Sequence, residues 1–143
     1  MRAARLAIVL AVALSAQPAW AEIGRIKSFV GTVQVIRDGR TLPASSGLKL
    51  EEGDVVTTAR GARAGIAFTD NTRMALGPAS RITLDEYRFD RARRSGTSVT
   101  TVNRGSLGVH SGDIAGSGRD RMQVRTPTSI LGVRGTTFVV EVE

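Results

Sequence analysis

Cysteine is absent from this sequence of 143 residues, histidine occurs once, and aromatic residues make up only 4%. Without thiols the chain cannot form disulfides, zinc fingers, iron–sulfur sites or a cysteine nucleophile. The single histidine, His110, excludes metal sites built from several imidazoles. The scarcity of aromatic side chains argues against a stacking platform for bases. What remains is a chain of ordinary globular composition, 41% hydrophobic and 23% charged.

The first 21 residues have the pattern of a secretory signal peptide. Two arginines precede an apolar run over residues 6–14, and Ala19 and Ala21 occupy the −3 and −1 positions of a cleavage site. The run is about half as long as the ~20 apolar residues that a bilayer-spanning helix needs. We therefore predict cleavage after Ala21, export to the periplasm or out of the cell, and no transmembrane segment in the processed chain, residues 22–143.

The net charge of +7 is carried mostly by the part that follows this signal, where 18 basic and 13 acidic residues leave a net +5. An exported protein does not meet cytoplasmic nucleic acid, so we expect no nucleic-acid partner despite the high pI. The most distinctive charged segment is 88–96, which we interpret as an exposed loop. It is a candidate surface for a partner protein or for the phosphate and carboxylate groups of an anionic envelope glycan or lipid. Its four arginines are Arg88, Arg91, Arg93 and Arg94.

Short runs with a period of two, separated by glycines, predict a single all-β domain over residues 22–143. From Gly24 to Gly61 the glycines recur every six to eight residues. Val33 and Val35 share one strand face, and the Asp38-Gly39 dipeptide after them is a strong signal for a two-residue hairpin turn. Strands of this spacing are typical of a sandwich, a barrel or a solenoid.

The same alternation predicts further strands. It places Ile66 and Phe68 inward in the run 63–68, and Met74 and Leu76 on one face of the next run. Two more strands are expected at 99–102 and 107–110.

A change of parity in the run 81–89 predicts a local irregularity. Ile82 and Leu84 share one face of a strand, whereas Tyr87 lies on the opposite one. An extra residue in the strand restores a common inward face, so we expect a bulge near positions 85–86.

The last run of the sequence, 136–142, is a strong strand pattern with apolar residues on one face. Such a strand either pairs on both sides within the sheet or leaves an edge to which a partner adds a strand. Both alternatives stay open at this point. The candidate edge residues are Thr136, Phe138, Val140 and Val142.

The polar residues predict no catalytic group and no cofactor. His110, Ser111 and Asp113 have the residue types of a hydrolase triad, but triad members normally meet from separate elements rather than from four consecutive positions. Acidic clusters at 51–54 and 85–90 adjoin turns, where Asp and Glu cap backbone groups. A carbohydrate-active enzyme, which needs two acids across a groove, is kept as a minor alternative.

Four sequence elements in order resemble the FecR domain family, over residues 23–142. They are an L-E-E-G-D-V-V-T segment at 50–57, a D-x-T turn at 70–72, an L-x-P-x-S segment at 76–80, and a closing T-P…R-G-T-x-F segment within 124–140. The resemblance implies a periplasmic, β-solenoid-like or rolled β domain. It also implies that the motif residues are structural.

Well-known relatives of this family are transmembrane regulators that pass a signal from an outer-membrane receptor to a cytoplasmic sigma factor. This sequence shows no cytoplasmic segment and no retained span, so we expect the fold and the compartment to carry over, but not the regulator's activity. The resulting expectation is a non-enzymatic scaffold or sensor accessory that binds an envelope protein. Binding of an anionic envelope polymer through the arginine segment is the alternative.

Overall fold

A computed structural model describes residues 21–143, so the predicted signal peptide lies, except for Ala21, outside the described residues. Nearly all regular structure is β. The strands are β1 (Gly24–Val30), β2 (Val33–Arg37), β3 (Arg40–Pro43), β4 (Lys49–Leu50), β5 (Val55–Thr58), β6 (Arg63–Phe68), β7 (Arg73–Leu76), β8 (Arg81–Asp90), β9 (Ser95–His110), β10 (Met122–Arg125), β11 (Ile130–Val133) and β12 (Thr137–Val142); the helix α1 spans Asp113–Gly116. No helix in this part of the chain is both long and apolar enough to cross a bilayer.

The body of the curled sheet consists of four long segments of extended chain, each sharply bent, which we call ribbons. The first consists of β1 and β2, the second of β5 and β6, the third of β7 and β8, and the fourth of β9 alone. Neighbouring ribbons run antiparallel along their whole length. The remaining strands extend the margins: β3 and β4 beside the first ribbon, and β10, β11 and β12 beyond β9. The bends divide the sheet into two halves, and each ribbon has one part in each half.

The ribbons bend at a single row of corners. The corner residues with positive φ are Gly31, Gly61, Ala79 and Gly105. Ala59 links three ribbons, because its N–H donates to Thr32 O and its carbonyl accepts from Ala79 N, both at 3.0 Å. At Gly105, with φ +85°, a Cβ would lie 2.5 Å from Ser80 Cα. Only glycine fits there, since the backbone both adopts a left-handed conformation and touches the neighbouring corner.

The core fills the inside of this bend. Alternate residues of the central strands point inward, as predicted for Ile66 and Phe68 in β6 and for Met74 and Leu76 in β7. The largest fully buried side chains are Ile26, Leu50, Leu76, Ile82, Leu84, Leu107, Ile114 and Met122. They come from strands on both halves of the sheet and from α1, so the curl itself creates the core.

Three local predictions from the sequence are confirmed. Asp38 and Gly39 form the turn between β2 and β3, with φ of +49° and +74°, which is the left-handed pair that a type I′ turn needs. The β8–β9 register shifts between Leu84 and Glu86, which is the expected bulge. The all-β class also holds.

Other expectations are corrected or left unconfirmed. The segment 88–96 is not one loop: Arg88 belongs to β8 and Gly96 to β9, and only residues 91–94 form the turn. A Cβ at Gly96 would collide with Arg88 O, so a glycine there lets the hairpin strands stay paired close to the tip. The expected strands at 99–102 and 107–110 form one strand, β9. The solenoid is not confirmed, because its coils would stack in parallel, whereas among the strands of residues 21–143 only β9 and β10 pair that way.

Candidate interaction surfaces

The D-x-T turn surrounds a buried carboxylate, Asp70. Its two oxygens accept hydrogen bonds from four donors: Thr72 N at 3.2 Å, Thr72 Oγ1 at 2.8 Å, Tyr87 Oη at 2.9 Å and Ile114 N at 3.1 Å. The donors lie on the turn itself, on β8 and on α1. Asp70 therefore holds three separate segments together and, being fully buried, is inaccessible to a ligand.

Tyr87 completes this cluster. Its hydroxyl accepts a hydrogen bond from Asp70 N at 2.9 Å and lies 3.0 Å from Thr69 Oγ1, while its ring stacks on Phe68 with centroids 5.5 Å apart. Burial is the main cause that raises the pKa of the Tyr87 phenol above its usual range. The phenol is a structural donor here.

The G-D element also serves the fold. Asp54, which is 1% exposed, accepts hydrogen bonds from Arg37 Nε at 2.8 Å and Arg37 Nη2 at 2.7 Å. Glu51 N donates to the same carboxylate at 2.8 Å. The hydrogen bond with Asp54 is the largest contribution that raises the pKa of Arg37. Nearby, Glu52 Oε2 accepts a hydrogen bond from Tyr87 N at the β8 bulge, so this acidic cluster is occupied by internal partners.

The three residues with triad chemistry have separate partners. His110 Nδ1 lies 2.8 Å from Thr137 Oγ1, Ser111 Oγ accepts from Thr136 N at 2.9 Å, and Asp113 pairs with Arg94. Within residues 21–143, no hydrogen bond joins any two of the three. The same part of the chain holds no group of three or more side chains able to ligate a metal ion. This geometry does not assemble a nucleophile with a base.

The arginine hairpin, defined as residues 88–96, exposes all four arginines of the sequence prediction. Two of them have carboxylate partners: Arg94 Nη2 lies 2.9 Å from Asp113 Oδ1, and Arg93 Nε lies 3.9 Å from Asp90 Oδ2. Within the described chain, Arg88 and Arg91 have no carboxylate oxygen within 4.0 Å. The four arginines therefore differ in whether a carboxylate is close to them, which their adjacent positions in the sequence do not indicate.

A fifth arginine joins this surface from a distant segment. Arg121 precedes β10, which pairs with β9 from Met122 opposite Ser98. This pairing brings Arg121 to the base of the hairpin, where it lines a shallow depression with Arg88 and with the carboxylates of Glu86 and Asp90. Sequence reasoning missed Arg121, because no local signal indicates that β10 adds to the outer side of β9.

The outer margin of β12 has no strand beside it in the described chain, since β12 pairs only with β9. Its hydrogen-bond pattern follows from two contacts: Ser111 N donates to Thr136 O, and Gly77 N donates to Ser106 O. Because bonded pairs alternate in an antiparallel ladder, odd-numbered residues of the second half of β9 bond to β12 and even-numbered ones to β7. The N–H groups of Thr137, Val139 and Glu141 therefore point outward; we call this row the C-terminal edge.

The side chains predicted for this edge divide by face. Phe138, Val140 and Val142 lie on the inner face against the core, and Thr136 precedes the strand. The outward-facing apolar residue is Val139, which is 67% exposed. Of the five large apolar side chains that are exposed in residues 21–143, three lie on the two last strands: Ile130, Leu131 and Val139.

The opposite margin of the sheet is protected. β3 has Arg40 at one end and Pro43 at the other, and β4 is only two residues long. Short strands, charges and proline discourage the addition of another strand. The C-terminal margin consists of the unpaired outer sides of β11, with Ile130 and Leu131, and of β12, with Val139, and it is the more apolar and less protected of the two margins.

Comparison with known proteins identifies a family. The family model described as FecR protein matches residues 54–143, which is more than half of the chain. No curated protein and no solved structure matches significantly. The match includes the Asp70 cluster, the arginine hairpin and the C-terminal edge.

Proposed function

The chain belongs to the FecR family, and we propose that it is a non-enzymatic interaction module of the cell envelope that binds a partner protein at the C-terminal edge. The family suggests a sensor or signalling-related role in the periplasm. The signal-peptide pattern of the first 21 residues supports export to that compartment. In this proposal the partner contributes one extended segment, which pairs with β12 and continues the sheet.

The observation that carries the proposal is the unpaired outer margin of β12. Outward backbone N–H and C=O groups at Thr137, Val139 and Glu141 form a ready template for an extended chain. The strand is six residues long, or about 20 Å, which is the length of an average strand in a globular protein. Backbone pairing would supply affinity, and the exposed side chain of Val139 would add an apolar contact with the incoming strand.

A proline substitution tests this edge without removing a side-chain charge. Val139→Pro deletes one outward N–H and leaves the bonds from β12 to β9 in place, which an edge strand tolerates. With a photo-reactive amino acid at Glu141, irradiation of intact cells should give a discrete crosslinked product that Val139→Pro abolishes. Val139→Ala, which keeps the N–H, should retain most of the product.

Controls separate edge binding from a folding defect. The melting temperature of each purified variant should stay within a few degrees of the parent value, and a probe at Arg60, in the corner row, should give no matching product. An unchanged crosslink in Val139→Pro would contradict binding at the edge.

Mass measurement of the exported protein tests the proposed compartment. We expect a chain that begins at Glu22. A membrane-embedded chain that keeps its first 21 residues would contradict the exported module.

A further inference from the structure

We propose that the arginine hairpin and Arg121 form a second binding site, which docks the protein on the phosphate groups of an anionic phospholipid surface. This site lies at the far end of β8 and β9 from the corner row and uses none of the residues of the C-terminal edge. It would place the module against a membrane while its edge binds a protein partner. The inference therefore goes beyond the proposed function and can fail independently of it.

The charge balance of the site is the first argument. Arg88, Arg91 and Arg121 are exposed and, within residues 21–143, have no carboxylate oxygen within 4.0 Å. The two acids beside these arginines, Asp90 in the hairpin and Glu86 just before it, accept hydrogen bonds from neutral donors. Glu86 Oε1 accepts from Thr97 Oγ1 at 3.2 Å, and Asp90 Oδ1 accepts from the N–H groups of residues 92 and 93 at 3.0 and 3.2 Å. Both carboxylates keep their charge, but neither is in contact with Arg88, Arg91 or Arg121, so these three guanidinium groups are available for external anions.

The shape of the site is the second argument. The turn 91–94 is exposed at every residue and forms the protruding tip of the hairpin, and the depression beside Arg88 and Arg121 is shallow and open. Sites for small molecules are concave and bury most of the ligand. An open, convex group of guanidinium groups instead fits many phosphates presented on a broad surface.

The side chains around the arginines decide between a lipid surface and a glycan. The one aromatic residue of the hairpin, Phe89, is half-buried against the core, so only part of its ring reaches the depression, less than a platform for stacking on a sugar exposes. The one apolar residue of the tip is Ala92, which is too small to insert among acyl chains. The contact should therefore be electrostatic, confined to the headgroups and sensitive to salt.

Arg94 acts in this site as a positioning residue. Its ion pair with Asp113 ties the tip of the hairpin to α1. That helix is in turn held by the Asp70 carboxylate through Ile114 N. A chain of contacts thus links the buried cluster to the tip and limits how far the hairpin can swing away from Arg121.

Vesicle binding tests the proposal directly. The purified protein is sedimented with phosphatidylcholine vesicles containing about 30% phosphatidylglycerol, at about 0.05 M salt. Each arginine near an anionic surface contributes about fivefold to partitioning, so Arg88→Ala/Arg91→Ala/Arg121→Ala should lower binding about a hundredfold. A matched control, Arg60→Ala/Arg63→Ala/Arg104→Ala, removes the same charge from the corner row, about 30 Å away along β8, and should keep most of the binding.

The outcomes separate the alternatives. Loss of binding at about 0.5 M salt and on pure phosphatidylcholine vesicles supports headgroup docking. Equal losses in the two triple variants would overturn the proposal, because net charge and not the hairpin would then be responsible. Retention on heparin resin without binding to anionic vesicles would overturn it as well, in favour of a soluble polymer. Val139→Pro should leave vesicle binding unchanged, which distinguishes this site from the C-terminal edge.

Discussion

The polar groups of the Asp70 cluster have hydrogen-bond partners inside the fold, whereas the outward backbone groups of the C-terminal edge have none in the described chain. At Asp70 a fully buried carboxylate accepts four hydrogen bonds, and no buried side-chain nitrogen or oxygen in the described residues lacks a partner. Along β12 a row of backbone N–H groups points outward with no strand beside it. The difference teaches that the family motif satisfies its polar groups inside the fold, whereas the end of the sheet leaves backbone groups without partners, and for this reason we propose binding there.

Removing the centre of the buried cluster should have the largest effect. Asp70→Ala leaves the Tyr87 hydroxyl and the N–H groups of Thr72 and Ile114 without their acceptor. Each buried unsatisfied donor costs ~1–3 kcal/mol, so we expect the free energy of unfolding to fall by about 4 kcal/mol. Urea denaturation measures this loss. Asp85→Ala, which removes an exposed carboxylate from β8, should change stability by less than about 1 kcal/mol; equal losses would refute the special role of Asp70.

The corner row should be nearly as sensitive. Gly105→Ala forces a side chain into a left-handed backbone conformation and against Ser80, so it should cost roughly 2–4 kcal/mol. Gly116→Ala is the matched control, since a Cβ at Gly116 meets no heavy atom within 4 Å. Thermal denaturation should show a large drop in melting temperature for the first variant and little change for the second. Similar melting temperatures would mean that the corner can relax.

A smaller loss is expected from the phenol at the edge of the cluster. Tyr87→Phe keeps the ring against Phe68 but removes the hydroxyl that donates to Asp70 and accepts from its N–H. We expect a loss of about 1–2 kcal/mol at neutral pH, measured by urea denaturation. A loss below about 0.5 kcal/mol would show that water replaces the hydroxyl.

The same residue makes the stability depend on alkaline pH. Because burial raises the pKa of folded Tyr87 above the unfolded value of about 10, its contribution is complete below that pH and declines as the pH rises further. Between about pH 9 and pH 11 the parent should lose stability faster than Tyr87→Phe, by about 1.4 kcal/mol for each pH unit above 10. Parallel declines would contradict the raised pKa. The chain has one tyrosine, so an ultraviolet titration reports this group alone.

The smallest effect on stability should come from the C-terminal edge. Val139→Pro should change the free energy of unfolding by less than about 1 kcal/mol, because its N–H has no partner in the described chain. Val140→Pro, one residue along, removes a bond to β9 and should cost ~3 kcal/mol or more. The difference between these two variants reflects the alternation of β12, because Val140 both bonds to β9 and is buried in the core, whereas Val139 faces outward. Equal costs would contradict it.

Much of the local structure could be predicted from the sequence. Alternating apolar residues predicted the inward faces of β6 and β7, Asp38-Gly39 predicted a turn, and the parity change after Leu84 predicted the bulge. Each of these signals is contained within a few consecutive residues. The merging of two expected strands into β9 was missed, because Gly105 indicates a break when read locally, whereas in the structure it is the corner at which one strand continues across the bend.

The candidate surfaces were predictable only in part. The arginines of the hairpin were found, but their division into paired and unpaired groups was not. Arg94 meets Asp113 across 19 positions of sequence, and Arg88 meets Arg121 only because β10 adds to β9. On β12, the apolar residues that mark the strand are those that point to the core, so Val139, the exposed one, was passed over.

By itself, the sequence determined that this protein is an all-β member of its family, with strands and turns in these places. Short-range alternation and turn chemistry decide these features, since both act within one strand or one hairpin. The tertiary structure alone decided which strands lie at the margins of the sheet and which arginines of the described chain remain without carboxylate partners. The physical reason is that these properties depend on pairings between strands distant in the chain. The residues next to Val139 and Arg121 in the sequence carry no signal of those pairings.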